Sequence, residues 1–262
     1  MTSELRPRYY TGFGKYLLNR QPTRSRCVAA AYRIIGFDVG LKDNRMIERL
    51  ATGSALLGVP LATIQDGTLR YTYKGVPTYK NPFDLALYQM LLWQQKPRTL
   101  IEIGSKWGGS ALWFADIIRS FGVDCVIHSI DITPPSISVP GVTFHRGDGR
   151  DLAATLPAEL IESLPRPMFV IEDADHHCET TLAVLRFFDR WLVAGEYIAV
   201  EDGIVDDLYG PEFVAKLMGG PRRAVELFLR DRGQDYEIDT SLCDHFGTNV
   251  TWNVNGYLRR VR

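Results

Sequence analysis

From Arg98 onward, short apolar runs alternate with longer amphipathic stretches, and this rhythm limits the possible folds more than any other feature of the sequence. Because strands that alternate with helices pair in parallel and are covered on both faces, the pattern predicts an α/β fold with a mostly parallel sheet. The predicted strands are Thr99–Gly104, Cys125–Ile132, Val142–Asp148, Pro167–Asp173 and Glu196–Asp202. The predicted helices are Ser110–Ser120, Asp151–Leu164, Thr180–Leu192 and Pro221–Arg232.

Both ends of the chain depart from this rhythm. Tyr236–Leu242 and Thr248–Val261 are joined by a short loop without a helix, which predicts an antiparallel hairpin at the sheet edge. Before Arg98 we expect helices near Arg24–Ile35, Asn44–Leu57 and Asp84–Gln94, and a hairpin or extended arm within Thr68–Pro82. We expect residues 1–90 to form a helical segment and arm that caps the site or joins subunits, and residues 91–262 to form the sheet domain.

Charge and composition exclude several classes of protein. The 262 residues carry 30 basic and 31 acidic side chains, so the net charge of −1 gives no general attraction to nucleic acid or a membrane surface. No apolar run has the length of a membrane span, and the polar, basic first residues do not resemble a signal peptide. The four cysteines are scattered, which is typical of reduced thiols. We therefore expect a cytoplasmic protein.

Three consecutive strand ends carry groups that suit a nucleoside cofactor. In open α/β sheets, ligands bind outside the carboxyl ends of the strands. The first strand leads into a glycine-rich turn, the second ends at Asp131, placed for a ribose diol, and the third ends near Asp148, placed for an adenine amino group. The candidate cofactor residues are Glu102, Gly104, Ser105, Gly109, Ser110, Asp131 and Asp148. Alternatively, the glycines only make a tight turn and the aspartates only cap helices.

The strongest chemical signal follows the fourth and fifth strands. Asp173 ends one strand, and Glu201 and Asp202 end the other. Clustered carboxylates repel one another unless a cation compensates them, and oxygen ligands select a hard cation. We expect Mg²⁺, with Mn²⁺ or Ca²⁺ as alternatives, bound by these three acids. Helix capping is the competing interpretation.

Histidine supplies the candidate base. His176 lies three residues beyond Asp173, and an imidazole can take a proton from a hydroxyl near neutral pH. The resulting alkoxide would attack the methyl group of a sulfonium donor. We expect His128 and His145, which lie inside predicted strands, to be core or sheet-face residues.

Together, these segments resemble the cephalosporin hydroxylase-like family, which includes metal-dependent sugar O-methyltransferases. The resemblance starts near Gly75 and is carried by GVPTYKNPFDLALYQMLLW, IEIGSKWGGSALWFAD, SIDI, EDADH, GEYIAVED and FGTNVTWNVNGYLRRV. It implies a Rossmann-like S-adenosylmethionine methyltransferase sheet. It also implies Asp173, Glu201 and Asp202 as metal ligands and His176 as the catalytic residue. Because the family more often has Asp-Asp-Gly-Ser-His at residues 172–176, Asp175 stays an alternative ligand.

The resemblance implies an S-adenosylmethionine-dependent O-methyltransferase that acts on a sugar hydroxyl of an oligosaccharide, glycolipid or glycosylated natural product. We expect a homo-oligomer. Candidate acceptor contacts are Tyr79, Lys80, Asp175, His177 and His245. One alternative, an NAD-dependent oxidoreductase or epimerase, is disfavoured because the sequence lacks G-x-G-x-x-G. A second alternative is a non-catalytic module that binds a nucleoside or a metal.

Overall fold

The structure is a computed structural model that describes residues 44–54, 56 and 61–262. The predicted helix near Arg24–Ile35 lies outside the described residues. Among the residues that are described, no helix is both long enough and apolar enough to cross a membrane. Cys125, Cys178 and Cys243 are free thiols.

Within the described residues, seven strands form one sheet and two short strands form a separate hairpin. The strands are β1 (Thr72–Tyr73), β2 (Val76–Pro77), β3 (Thr99–Ile103), β4 (Val126–Asp131), β5 (Val142–Arg146), β6 (Met168–Glu172), β7 (Tyr197–Val200), β8 (Tyr236–Ile238) and β9 (Tyr257–Arg260). The sheet order is β5-β4-β3-β6-β7-β9-β8. Strands β3 to β7 pair in parallel, whereas β9 runs antiparallel to both β7 and β8. The predicted mostly parallel sheet with an antiparallel edge is confirmed.

Helices cover this sheet and supply most of the connections between its parallel strands, whereas a loop without a helix joins β4 to β5. They are α1 (Asn44–Leu50), α2 (Leu61–Thr68), α3 (Pro82–Gln95), α4 (Gly109–Ser120), α5 (Leu152–Thr155), α6 (Ala158–Ser163), α7 (Cys178–Asp189), α8 (Val205–Leu208), α9 (Pro211–Lys216), α10 (Gly220–Arg232) and α11 (Thr240–Cys243). Every residue of β3, β6 and β7 is buried, as expected for central strands covered on both faces.

Helix α3 joins the N-terminal arm to the sheet. The Asn81 side chain accepts hydrogen bonds from the amides of Phe83 and Asp84, and Pro82 occupies the first turn, so the helix has a strong start signal. The helix crosses residue 90, the predicted domain boundary. Its buried residues Leu87 and Leu91 belong to the same hydrophobic core as the strands. Helix α3 therefore shares the hydrophobic core of the sheet, on both sides of residue 90.

Several sequence predictions for regular elements are wrong in detail. The helix predicted over Asp151–Leu164 is two short helices, α5 and α6, with Pro157 between them. Proline has no backbone N–H to donate within a helix, so the first helix stops before it. The strand predicted over Tyr236–Leu242 ends at Ile238, and helix α11 follows it, with Asp239 as its N-cap. Helices α2, α8, α9 and α11 were not predicted, because each is too short to show a clear helical period.

The strand predicted over Thr248–Val261 is also shorter than expected, because only Tyr257–Arg260 is extended. Asn249 and Asn255 adopt positive φ values of 51° and 56°, which a strand does not allow. Residues 249–255 instead form a buried loop. The Asn253 amide in this loop donates to the hydroxyls of Tyr88 and Tyr257 at 3.0 and 3.1 Å.

Candidate active site

A cavity of about 360 Å³ opens at the carboxyl edge of the parallel strands. This is the edge at which open α/β sheets bind their ligands. The sheet order divides the cavity. The ends of β3, β4 and β5 line one half, here called the nucleoside half. The ends of β6 and β7, together with α2, α8 and Trp252, line the other, here called the acceptor half.

Two glycines shape the turn after β3. Gly104 has φ +106°, and a Cβ there would overlap the carbonyl oxygen of Asp173. A Cβ on Gly109 would overlap the carbonyl oxygen of Pro77 on the arm. Only glycine lets these backbones approach so closely. The turn therefore packs against both the acidic strand end and the arm.

Glu102 lies beneath this turn, fully buried and outside the cavity wall, so it does not fit its predicted role as a cofactor contact. The Ser129 hydroxyl donates to Glu102 Oε2 at 2.5 Å, and the Ser129 and Ser105 hydroxyls are 2.6 Å apart. Glu102 points to the opposite side from its neighbours on β3 because strand side chains alternate. Ser105 and Ser110 line the cavity as predicted.

Asp131 and Asp148 both line the nucleoside half. Asp131 accepts hydrogen bonds from the amides of Lys106 and Thr133, each at 2.8 Å, and Asp148 accepts from the Arg150 amide at 2.9 Å. Asp131 and Asp148 therefore both stabilise turns and line the cavity, so the two interpretations of these aspartates do not exclude each other. Next to Asp131, Ile132 is 66% exposed and lines the same wall, a feature that sequence reasoning missed. An exposed Ile at a cavity mouth provides an apolar surface for a flat ring.

Asp173, His176 and Asp202 come together between the two halves. Each offers one ligand atom, and these atoms all lie within 4.8 Å of one another. His176 and Asp202 have positive φ values of 60° and 55°, and His176 Nε2 lies 3.3 Å from Asp202 Oδ2. Such backbone conformations are disfavoured for residues with side chains, and they cluster at functional sites. Here they turn both side chains into the cavity.

The structure corrects the predicted arrangement of Glu201 and Lys80. Glu201 is buried; its Oε1 accepts from the Tyr88 hydroxyl at 2.6 Å and its Oε2 from Lys80 Nζ at 2.5 Å. Lys80 also contacts Asp173 Oδ2. Both residues follow the end of β7; Glu201 faces Lys80 and Tyr88 in the interior, whereas Asp202, with its left-handed backbone, lines the cavity. Lys80 is thus a buried partner of two acids rather than a surface for the acceptor.

Burial governs the electrostatics of these groups. Burial raises the pKa of Glu201 well above its ordinary value, the Asp173 carboxylate adds to this, and the Lys80 ammonium opposes it. Burial also raises the pKa of Asp202, against the opposing effect of His176. For Lys80, burial alone would lower the pKa, but the carboxylates of Asp173 and Glu201 outweigh it and hold the pKa well above the ordinary value. The ammonium therefore stays charged.

The remaining candidate residues are placed as follows. Asp175 lines the cavity but pairs with Arg150 at 2.7 Å, which favours Asp173 over Asp175 as a metal ligand. His177 occupies the N-cap position of α7 without a side-chain capping bond, and its Nδ1 lies 3.1 Å from the Asp175 carbonyl oxygen. His245 is exposed and packs against Phe246, outside the cavity wall, so the predicted acceptor contacts of these two histidines are not supported.

Aromatic side chains line the cavity, including Tyr79, which was predicted, and Tyr209 and Trp252, which were not. Tyr79 lies beside Lys106 on the turn after β3, whereas Tyr209 and Trp252 line the acceptor half. Trp252 Nε1 donates to Gln65 Oε1 at 2.7 Å, so the loop before β9 and helix α2 form one wall. Both elements were mispredicted from the sequence, which is why this wall was missed. Aromatic rings with fixed polar partners suit a ligand that has both apolar and hydroxyl surfaces.

The donor chemistry of the central group fits a divalent cation. Two carboxylates and an imidazole converge, and burial disfavours the uncompensated negative charge of Asp202. The nucleoside half fits a nucleoside, with acidic groups at two strand ends and an apolar residue beside one of them.

Comparison with known proteins agrees with this geometry. The family model described as Rhamnosyl O-methyltransferase/CmcI matches residues 66–261. A rhamnosyl O-methyltransferase of Mycobacterium leprae is 32% identical over 197 residues, which cover 72% of this chain and 82% of the relative. A rhamnosyl O-methyltransferase of Mycobacterium tuberculosis is 31% identical over 198 residues, covering 72% and 78%.

Solved structures that are similar to this chain include members of the same family. A structure of CmcI with Mg and SAM is similar with a TM-score of 0.56 and 27% identity, covering 74% of this chain and 78% of that one. The apo-structure of CmcI has the same TM-score at 28% identity, covering 74% and 77%. These matches confirm the resemblance inferred from the sequence and the Rossmann-like methyltransferase fold. The chain belongs to the Rhamnosyl O-methyltransferase/CmcI family.

Proposed function

We propose that this protein transfers a methyl group from S-adenosylmethionine to a sugar hydroxyl, with the help of a divalent cation, Mg²⁺ first. Family membership makes the chain an O-methyltransferase. The observation that carries the proposal is the convergence of Asp173, His176 and Asp202 between a nucleoside half and an aromatic acceptor half of one cavity.

The nucleoside half would hold the methyl donor. We assign Asp131 to the ribose hydroxyls and Asp148 to the adenine amino group. The backbone between Gly104 and Gly109 passes close to the donor, and Ser105 and Ser110 contribute polar contacts there. Ile132 packs on the adenine ring. When bound, S-adenosylmethionine supplies an electrophilic methyl group on its sulfonium sulfur.

Asp173 and Asp202 would hold the cation. Glu201 is not a ligand in this assignment; it pairs with Lys80, which in turn contacts Asp173. Asp175 is not a ligand either, because it pairs with Arg150. When bound, the cation supplies positive charge that lowers the pKa of a nearby hydroxyl.

His176 is the proposed general base. Its Nε2 faces Asp202 at 3.3 Å, so the carboxylate orients the ring and stabilises the imidazolium that forms after proton uptake. The acceptor hydroxyl would give its proton to the other ring nitrogen, Nδ1, as its oxygen takes the methyl group and S-adenosylhomocysteine is left.

The proposed acceptor is a rhamnosyl or similar deoxyhexose unit. The mycobacterial relatives are rhamnosyl O-methyltransferases. The acceptor half presents Tyr209 and Trp252, which suit the C–H face of a sugar ring. Sugars on macrolides come next, and catechol-like phenols come last.

The test is transfer of labelled methyl from S-adenosylmethionine to a panel of glycosides by the purified full chain. Product is expected with rhamnosyl acceptors, loss of product with EDTA, and recovery on adding excess Mg²⁺. Transfer that is unaffected by EDTA would show that the reaction needs no divalent cation. Transfer to phenols alone would show that the acceptor is not a sugar. The homo-oligomer and the cytoplasmic location stay predictions, for light scattering and cell fractionation respectively.

A further inference from the structure

Lys80 is a lysine whose charged side chain lies in the interior of the protein. Its side chain is only 4% exposed, and lysine is almost never fully buried unless it is paired. Its ammonium contacts Asp173 Oδ2 and lies 2.5 Å from Glu201 Oε2. A lysine at this depth cannot reach an acceptor in the cavity, so its role must be sought among the acids around it.

The chain holds Lys80 in this position from both sides. Before it, Tyr79 has a positive φ of 53°, a disfavoured conformation that turns the chain inward. The preceding Thr78 is fixed to the hairpin, because its amide donates to the Tyr71 carbonyl at 3.1 Å and its Oγ1 accepts from the Tyr73 amide at 3.2 Å. After it, Asn81 caps helix α3. Lys80 therefore sits on a segment with little freedom to withdraw.

The charges around Lys80 explain what a buried ammonium would do. Asp173, Glu201 and Asp202 bring three carboxylates to one place, and a single ammonium balances one of them. A divalent cation would compensate negative charge that the ammonium does not balance. Asp173 belongs both to the Lys80 pair and to the group that could hold a metal. The ammonium and a cation would therefore draw on the same carboxylate.

We propose that Lys80 is an internal counter-ion that holds Asp173 and Glu201 in place without metal and competes with the divalent cation for Asp173, so that it sets the affinity of the site. Lys80 is thus a positioning residue that acts through the acids. This inference rests on the cation site of the proposed function. It predicts that removing the ammonium tightens cation binding while it weakens the cation-free protein, a combination that a purely structural lysine would not produce.

The experiment compares wild type, Lys80→Met and Lys74→Met as full-length proteins without methyl donor. Lys74 is the matched control, because it lies on the same arm and its exposed ammonium pairs with Asp116. Mn²⁺ affinity is measured by electron paramagnetic resonance of the free ion, and thermal unfolding is followed with and without Mg²⁺. For Lys80→Met we expect at least tenfold tighter Mn²⁺ binding, since a positive charge next to the ion is lost. We also expect a lower Tm without metal and a larger rise in Tm on adding Mg²⁺. Lys74→Met should match wild type in all three.

The outcomes separate the two proposals. If wild type binds Mn²⁺ and Lys80→Met binds it equally or more weakly, the counter-ion role is wrong and the cation site stands. If wild type binds no Mn²⁺, both are wrong. Should Lys80→Met fail to fold, Lys80→Gln replaces it, since its amide can still donate to one carboxylate; the same tightening is expected. Lys80→Arg keeps a positive charge beside the acids and should not tighten Mn²⁺ binding tenfold; tightening equal to that of Lys80→Met would contradict the counter-ion role.

Discussion

His176 Nε2 and Asp202 Oδ2 lie 3.3 Å apart, and both residues reach this arrangement through left-handed backbone conformations. The pair therefore depends on two local conformations from different strand ends, after β6 and after β7. Disfavoured backbone conformations persist only where the surrounding structure holds them in place. Here the central parallel strands β6 and β7, which precede the two residues, provide that support.

Replacing His176 tests the proposed base. His176→Ala should lower kcat for methyl transfer about 10²–10⁴-fold, the range expected for loss of a positioned general base. Binding of S-adenosylhomocysteine, measured by calorimetry, should stay within a few-fold of wild type. His245→Ala, on an exposed histidine outside the cavity wall, serves as the control and should retain activity. Full activity in His176→Ala would show that the base is another group.

Gly109 tests the contact between the arm and the donor-binding turn. In Gly109→Ala the new Cβ would overlap the carbonyl oxygen of Pro77, so the arm must move. We expect a loss of about 1–3 kcal/mol in unfolding free energy, as for other overpacked sites, together with weaker S-adenosylhomocysteine binding. Gly67→Ala in helix α2 is the control, because a Cβ there meets no atom within 4 Å. It should be neutral or slightly stabilising. Equal stability of both variants would contradict the close contact.

Asp131 tests the nucleoside half. Asp131→Ala should raise the Kd of S-adenosylhomocysteine by about 10–100-fold, because hydrogen bonds to a charged group contribute about 1.5–3 kcal/mol. Asp124→Ala is a matched control, since Asp124 is an exposed partner of Arg98 away from the cavity. An unchanged Kd in Asp131→Ala would place the ribose elsewhere.

Asp84 gives the folded protein a pH dependence. It is buried and accepts hydrogen bonds from Asn81, Thr251 and the Trp252 amide, yet burial raises the pKa of its carboxyl to about 6. Because the folded-state pKa exceeds the unfolded one, the folded protein binds the proton more tightly. The contribution of Asp84 to stability is therefore greatest below about pH 4 and falls as pH rises to about 6.

Asp84→Asn removes this titration. Measured by urea unfolding, the stability of the variant relative to wild type should improve by up to about 3 kcal/mol as pH rises from about 4 to about 7. The variant should nevertheless be less stable than wild type at acidic pH, because its amide NH₂ faces groups that donate. A difference between the two proteins that does not change with pH would contradict the raised pKa.

The strand pattern was readable from the sequence because the central strands are largely apolar runs. Ile101 and Val170, for example, are completely buried on β3 and β6, where Glu102 is the one charged residue inside a run and Glu172 ends the other. The order of strand ends then brought Asp131, Asp173 and Asp202 to one edge by topology alone. This part of the site followed from the fold.

The rest of the site depends on local backbone conformations and contacts that the hydrophobic periodicity of a sequence does not reveal. The direction of Glu201 was mispredicted because the chain turns at Asp202, one residue later, so that Glu201 stays buried. Lys80 was mispredicted because an arm residue was expected to be exposed. Trp252 was missed because it lies in a loop of buried asparagines that resembles a strand in sequence. Long-range hydrogen bonds decide such positions, as between Trp252 Nε1 and Gln65.

The central claim is that Asp173 and Asp202 grip a divalent cation beside the methyl donor. The most direct measurement is anomalous scattering from crystals of the full chain grown with Mn²⁺ and S-adenosylhomocysteine. We predict one strong anomalous peak in contact with the carboxylates of Asp173 and Asp202, between the two halves of the cavity. A cavity that holds S-adenosylhomocysteine but shows no peak there at saturating Mn²⁺ would contradict it.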